Sequence, residues 1–274
     1  MDFNKNSGIV NIDLECTPCK KLRQAEGRID VSRVIEKLDA CFDKDDLSGA
    51  VRLLEYWQRE AASLGDSSGE LSLVNEMLGL FRKTQSKEKA AAAVKRALEL
   101  IELTDMSSSV SGATIMINAA TTQKAFGNAD AALPLYARAE EIYKLRGLPK
   151  DDLKYAALYN NHATALVDLA RFDEALSLYK KAISLTESSL ESLLDCAITY
   201  VNMAHLFEAR DGFDSPEIDK HLKIAEGILE NGRIPRDSYY AFVCQKCAPS
   251  FDHFGHFVFA KILEKTSREI YERA

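Results

Sequence analysis

Residues 159–182 read YNNHATALVDLARFDEALSLYKKA, and three alanines in them set the scheme of the whole chain. Ala163 belongs to one apolar-periodic stretch; Ala175 and Ala182 belong to the next, beyond Arg171-Phe172. In the second stretch Leu176, Tyr179, Ile183 and Leu185 return at three- and four-residue spacing, which is one side of an α-helix. Outward from here the small residues recur. Ala50, Ala90, Ala132, Ala175, Ile218 and Ala260 form one series, and Trp57, Ala97, Ala139, Ala182, Ala225 and Ser267 a second, both in steps of 40, 42, 43, 43 and 42. A small residue at a fixed period marks one supersecondary unit stacked many times.

Each unit reads as two helices. Twelve positions before the first series stand Ala120, Ala163 and Ala248, with Ala204 displaced by two, and small residues at helix crossings let backbones approach closely. Asp30, Asp46, Ser86, Asn128, Ser215 and Asp237 suit N-caps, because their side chains accept bonds from free N–H groups. Pro216 follows Ser215 at a first helical position, where its missing donor costs nothing. Strand-like alternation is confined to the first 15 residues, so the expected class is all-α. Residues 1–29 read as an extended arm. Residues 30–274 read as six units, approximately 30–65, 66–106, 107–148, 149–189, 190–233 and 234–274.

Composition narrows the partners. A net charge of -7 without a clustered basic stripe argues against nucleic acid, whose phosphates demand excess Lys and Arg. No run of about 18 apolar residues suggests a membrane span. The first 16 residues lack the basic start and apolar core of an export signal. The expected location is therefore cytoplasmic, with the six cysteines reduced.

The 159–182 pattern resembles the tetratricopeptide repeat, and Asn118-Ala-Ala120, Phe126-Gly127, Ala132, Tyr136 and Ala139 repeat it. The resemblance covers roughly residues 30–274 and departs at Trp57, as a terminal unit would. The period is longer than the family's usual length, so the likeness is to the kinesin-light-chain type. It implies an α-α superhelix of about six antiparallel helix pairs, right-handed, whose concave groove takes a segment of another protein.

In the register that the resemblance implies, Asn118, Asn161 and Asn202 face that groove, each just before the small residue of a first helix. Asn160, Thr121, Thr164 and His205 lie on neighbouring groove positions. A carboxamide both donates and accepts, so a row of them can clamp a peptide main chain without reading its side chains. Glu36, Glu76, Arg82, Lys83, Lys124, Asp168, Glu208 and Lys246 give the groove mixed charge.

Other clusters have plainer readings. Cys16/Cys19 and Cys244/Cys247 each have half-zinc-site spacing, and Cys244, Cys247, His253 and His256 together span thirteen residues interrupted by Pro249. Cys244 and Cys247 nevertheless fall on apolar positions of a first helix, where a thiol packs as a small hydrophobe. His162 falls on a packing position. No nucleophile elbow, phosphate loop or metalloprotease motif occurs, so neither an enzyme nor a cofactor is expected. Tyr239, Tyr240, Phe242, Phe251, Phe254, Phe257 and Phe259 make a C-terminal aromatic face that reads as core, with a homodimer surface as the alternative. The expected function is a non-catalytic protein-interaction scaffold. The alternative is a peptide- or metal-responsive sensor in which the arm occupies the groove.

Overall fold

A computed structural model describes residues 27–273. Among them are twelve helices and no strand. They follow one another as antiparallel pairs: α1 (Val31–Phe42) with α2 (Leu47–Ser63), α3 (Ser67–Lys83) with α4 (Lys87–Leu103), and α5 (Val110–Ala125) with α6 (Ala129–Leu145). Then come α7 (Leu153–Asp168) with α8 (Phe172–Thr186), α9 (Leu193–Asp211) with α10 (Pro216–Leu229), and α11 (Ser238–His253) with α12 (Phe257–Tyr271). The described chain divides into two compact units, 27–148 and 149–273, each holding three of these pairs.

The turn inside each pair is short and built to one plan. In five of the six, the residue just before the N-cap has a left-handed backbone: Asp45 (φ 51°), Gln85 (φ 53°), Gly127 (φ 83°), Ala170 (φ 56°) and Gly255 (φ 85°). In the sixth, Gly212 (φ 91°) closes α9 instead. A single left-handed residue reverses the chain and ends the helix within one turn. Asp30, Asp46 and Asp237 then accept main-chain N–H groups of the helices they start. Ser86, Asn128 and Ser215 hold the cap position without a side-chain cap bond.

The small-residue series has a defined place. Ala50, Ala90, Ala132, Ala175 and Ala260 are each the fourth residue of a second helix. There the N–H makes the first intrahelical bond to the N-cap carbonyl, as from Ala90 to Ser86 at 2.9 Å and from Ala175 to Arg171 at 3.1 Å. These five alanines are buried, as are Ala97, Ala139, Ala182 and Ala225 seven residues on. A larger side chain at such a crossing would strain a packed contact by about 1–3 kcal/mol. Trp57, which stands in the second series, is half-buried.

Within each unit, first helices of successive pairs lie side by side. In the 27–148 unit, α3 and α5 are joined by Asn118 bonding to Asn75 and by Thr122 bonding to the Leu78 carbonyl. In the 149–273 unit, Asp195 meets Tyr239 near the starts of α9 and α11, while Glu208 meets His253 near their ends. Start facing start and end facing end makes α9 and α11 parallel. Helix α11 continues through Pro249 to His253, so the proline does not break it.

Candidate functional site

The amides on the first helices form bonded pairs. Asn118 Nδ2 donates to Asn75 Oδ1 at 2.8 Å, and Asn202 Nδ2 donates to Asn160 Oδ1 at 3.0 Å. The members of each pair stand 43 and 42 residues apart. Each carboxamide retains a further N–H or oxygen lone pair beyond the pairing bond. Asn118, Asn160 and Asn202 are half-buried, and Asn75 is buried. Asn160 makes the bond to Asn202, and its neighbour Asn161 lies one helical step, about 100°, further round.

The remaining expected groove residues are tied to helix or neighbour. Thr121 Oγ1 donates to the Ile117 carbonyl at 2.8 Å and lies 3.0 Å from the Tyr136 hydroxyl. Thr164 Oγ1 donates to the Asn161 carbonyl at 2.7 Å. His205 Nε2 lies 2.9 Å from Ser250 Oγ, and its Nδ1 lies 3.3 Å from Glu208 Oε2.

Two charged groups of α3 stand near the Asn75–Asn118 pair in sequence. Glu76 is half-buried; burial, with Asp39 beside it, pushes its carboxyl up to about 7 against the opposing bond from Asn75. Burial depresses the Arg82 guanidinium, and its Nη1 is buried with no hydrogen bond. A buried donor left so costs about 1–3 kcal/mol until an acceptor reaches it.

The cysteines behave as apolar residues. Cys244 and Cys247 are buried in α11, and burial pushes each thiol up to about 12, away from the thiolate that binds metal or reacts. Cys196 is buried likewise, its thiol pushed up to about 11. Cys16 and Cys19 lie outside the described residues. Of the C-terminal aromatics, Tyr240, Phe251, Phe254 and Phe259 are buried, while Phe257 with its neighbours Val258 and Ile262 is exposed on α12. No described helix is long and apolar enough to cross a membrane.

Sequence reasoning missed two groups. Asn75 belongs to the amide pairs, and the 43-residue step back from Asn118 was its signal. His253 and Glu208 join His205, and no spacing within either helix announces that cluster.

No family model matches the sequence, and no curated protein matches it. Solved structures that it is similar to are TPR-like repeat proteins. One is a Podosopora anserina protein, described as kinesin light chain with nearly identical TPR-like repeats, at 14% identity and a TM-score of 0.48 over 73% of this chain and 94% of that one. Another is BtubC (BKLC) from P. vanneervenii, at 18% identity and a TM-score of 0.46 over 90% of this chain and 92% of that one.

Proposed function

We propose that this chain is a non-catalytic scaffold whose first helices bind an extended segment of another protein. Amides clamp the main chain of that segment. The supporting observation is the pairing itself: in both units a carboxamide of one repeat is bonded to the carboxamide one repeat earlier. Such bonds fix the amide planes in advance, so less side-chain freedom is lost when a ligand binds. Packed helices stand about 8–10 Å apart, and an extended chain advances about 3.3 Å per residue. One amide thus meets roughly every third residue of the bound segment. In the 27–148 unit, Asn118 and Thr121 line the path of that segment. Asn161, Thr164 and His205 line the corresponding stretch of the 149–273 unit.

The test is affinity capture of a partner followed by titration with Asn118→Ala/Asn202→Ala and, separately, Asn161→Ala. The double variant is expected to weaken binding about tenfold or more, in line with two lost bonds of roughly 1 kcal/mol each, while circular dichroism stays helical. Undiminished binding by the folded double variant would refute the amide clamp. The exposed Phe257, Val258 and Ile262 make α12 a second contact surface, suited to self-association. Light scattering that shows a monomer at all working concentrations would exclude that role.

A further inference from the structure

The parallel register of α9 and α11 brings two imidazoles and a carboxylate together where both helices end. His205 and Glu208 are one turn apart on α9, so they share a face. His253 is the last residue of α11. His253 Nε2 lies 2.6 Å from Glu208 Oε1, and His205 Nδ1 lies 3.3 Å from Glu208 Oε2. One ligand atom from each residue falls within 4.8 Å of the others. Around a tetrahedral ion with bonds of about 2.0–2.2 Å, ligand atoms stand roughly 3.4 Å apart. Small rotations of the exposed His253 and the half-buried Glu208 open the shorter separation and close the longer.

Three further features suit an ion. The His205 ring is oriented from behind by Ser250 Oγ at 2.9 Å from Nε2. With an ion bound, the proton rests on Nε2 and is donated to that hydroxyl, which frees the Nδ1 lone pair for the ion. This is the supporting bond that metal-ligating histidines ordinarily make. Phe254 packs against both imidazoles, with ring centroids 4.8 Å from His205 and 4.7 Å from His253, and Phe213 lies 5.8 Å from His253. These rings hold both imidazoles in place and limit water on one side. Finally, helix C-termini carry partial negative charge, which favours a cation.

We propose that His205, Glu208 and His253 form a site for a first-row divalent metal ion of the zinc class. One carboxylate is a hard ligand, but two borderline imidazoles suit zinc, cobalt or nickel and disfavour calcium and magnesium, which take oxygen ligands. Three protein ligands leave a position for water or for a donor carried by a bound partner. The site does not depend on the peptide-binding reading above.

The experiment uses the full chain carrying Cys16→Ser and Cys19→Ser, which removes the cysteine pair of half-zinc-site spacing that lies outside the described residues. Cobalt(II) titration followed by visible absorption, then zinc displacement, reads stoichiometry and ligand type. One equivalent is expected, with the bands of imidazole and carboxylate ligation and no thiolate charge-transfer band. Glu208→Gln and His253→Ala, each folded by circular dichroism, should bind roughly tenfold or more weakly, and zinc should raise the melting temperature of the parent but not of the variants. Sub-stoichiometric uptake, a thiolate band, or binding that survives both substitutions would overturn the proposal and leave a metal-free His–Glu–His hydrogen-bond cluster.

Discussion

Two carboxylates, one in each unit, are solved in opposite ways. In the 27–148 unit Glu70 is buried in the first turn of α3. It accepts Gln58 Nε2 at 2.6 Å, Arg96 Nε at 2.8 Å and Arg96 Nη2 at 2.7 Å. Its hydrogen bonds, with the bond to Glu99 and the charge of both carboxylates, hold the Arg96 guanidinium well above its ordinary range against burial. In the 149–273 unit Glu208 is half-buried between two rings. Burial works to raise its carboxyl, and the bonds from His253 and His205 outweigh it and hold the group low. A guanidinium keeps its charge and its planar fork under all ordinary conditions, so Glu70 is saturated and serves as a clasp between α2, α3 and α4. An imidazole can give up a proton and present a lone pair, so Glu208 sits in a cluster with chemistry left over.

The largest expected effect breaks this comparison if it fails. Arg96→Met leaves a buried carboxylate without its cation and should cost about 3–5 kcal/mol in urea unfolding, whereas Glu208→Gln should change stability by less than about 1 kcal/mol. Equal losses would mean that Glu208 is also a structural clasp.

A smaller effect concerns a carboxyl beside a like charge. Glu76 holds its proton up to about pH 7 in the folded chain, against an ordinary value near 4.5. Between those values the unfolded chain has released a proton that the folded chain keeps, so stability falls as pH rises across the window and levels off above it. Glu76→Gln should remove that slope and gain roughly 1–2 kcal/mol at pH 8, read from unfolding curves at pH 4.5 and pH 8. A slope that persists in the variant would place the titration elsewhere.

The smallest effect compares matching turns. Gly127 and Ala170 occupy the same place, one residue before the N-cap, both left-handed. An alanine there carries about 1 kcal/mol of backbone strain that glycine avoids. Ala170→Gly should stabilise by about that much, and Gly127→Ala should destabilise similarly, since a Cβ at Gly127 meets nothing within 4 Å. Thermal unfolding of the two variants gives both signs, and like signs would show that the turns are not equivalent.

The fold was legible because alanines at a 42-residue step can only report helices crossing helices, and the buried Ala90, Ala132 and Ala175 are where that step located them. The candidate site was less legible. Counting asparagines back from the small residue selected Asn161 with Asn160 beside it, and the spacing did not say which of the two would bond to Asn202; Asn160 does. The connections between helices vary in length, and an error of one residue turns a side chain about 100° around its helix. Asn75 was overlooked because Met77, not an alanine, follows it two residues on, where Asn118 has Ala120. The His205–Glu208–His253 cluster depends on α9 and α11 pairing at 44 and 45 residues, not 42, because the segment from 230 to 237 is longer than its counterparts. Periodicity could not give that register.

Helix α11 runs unbroken through Pro249, but proline has no N–H to give. The carbonyl of Gln245, four residues earlier, is therefore deprived of its helical donor. Gln245 lies 43 residues beyond Asn202, the next step of the amide progression, and its side chain is exposed. At this one rung α11 is held by one backbone bond fewer than a proline-free helix of its length, a loosened turn just before His253.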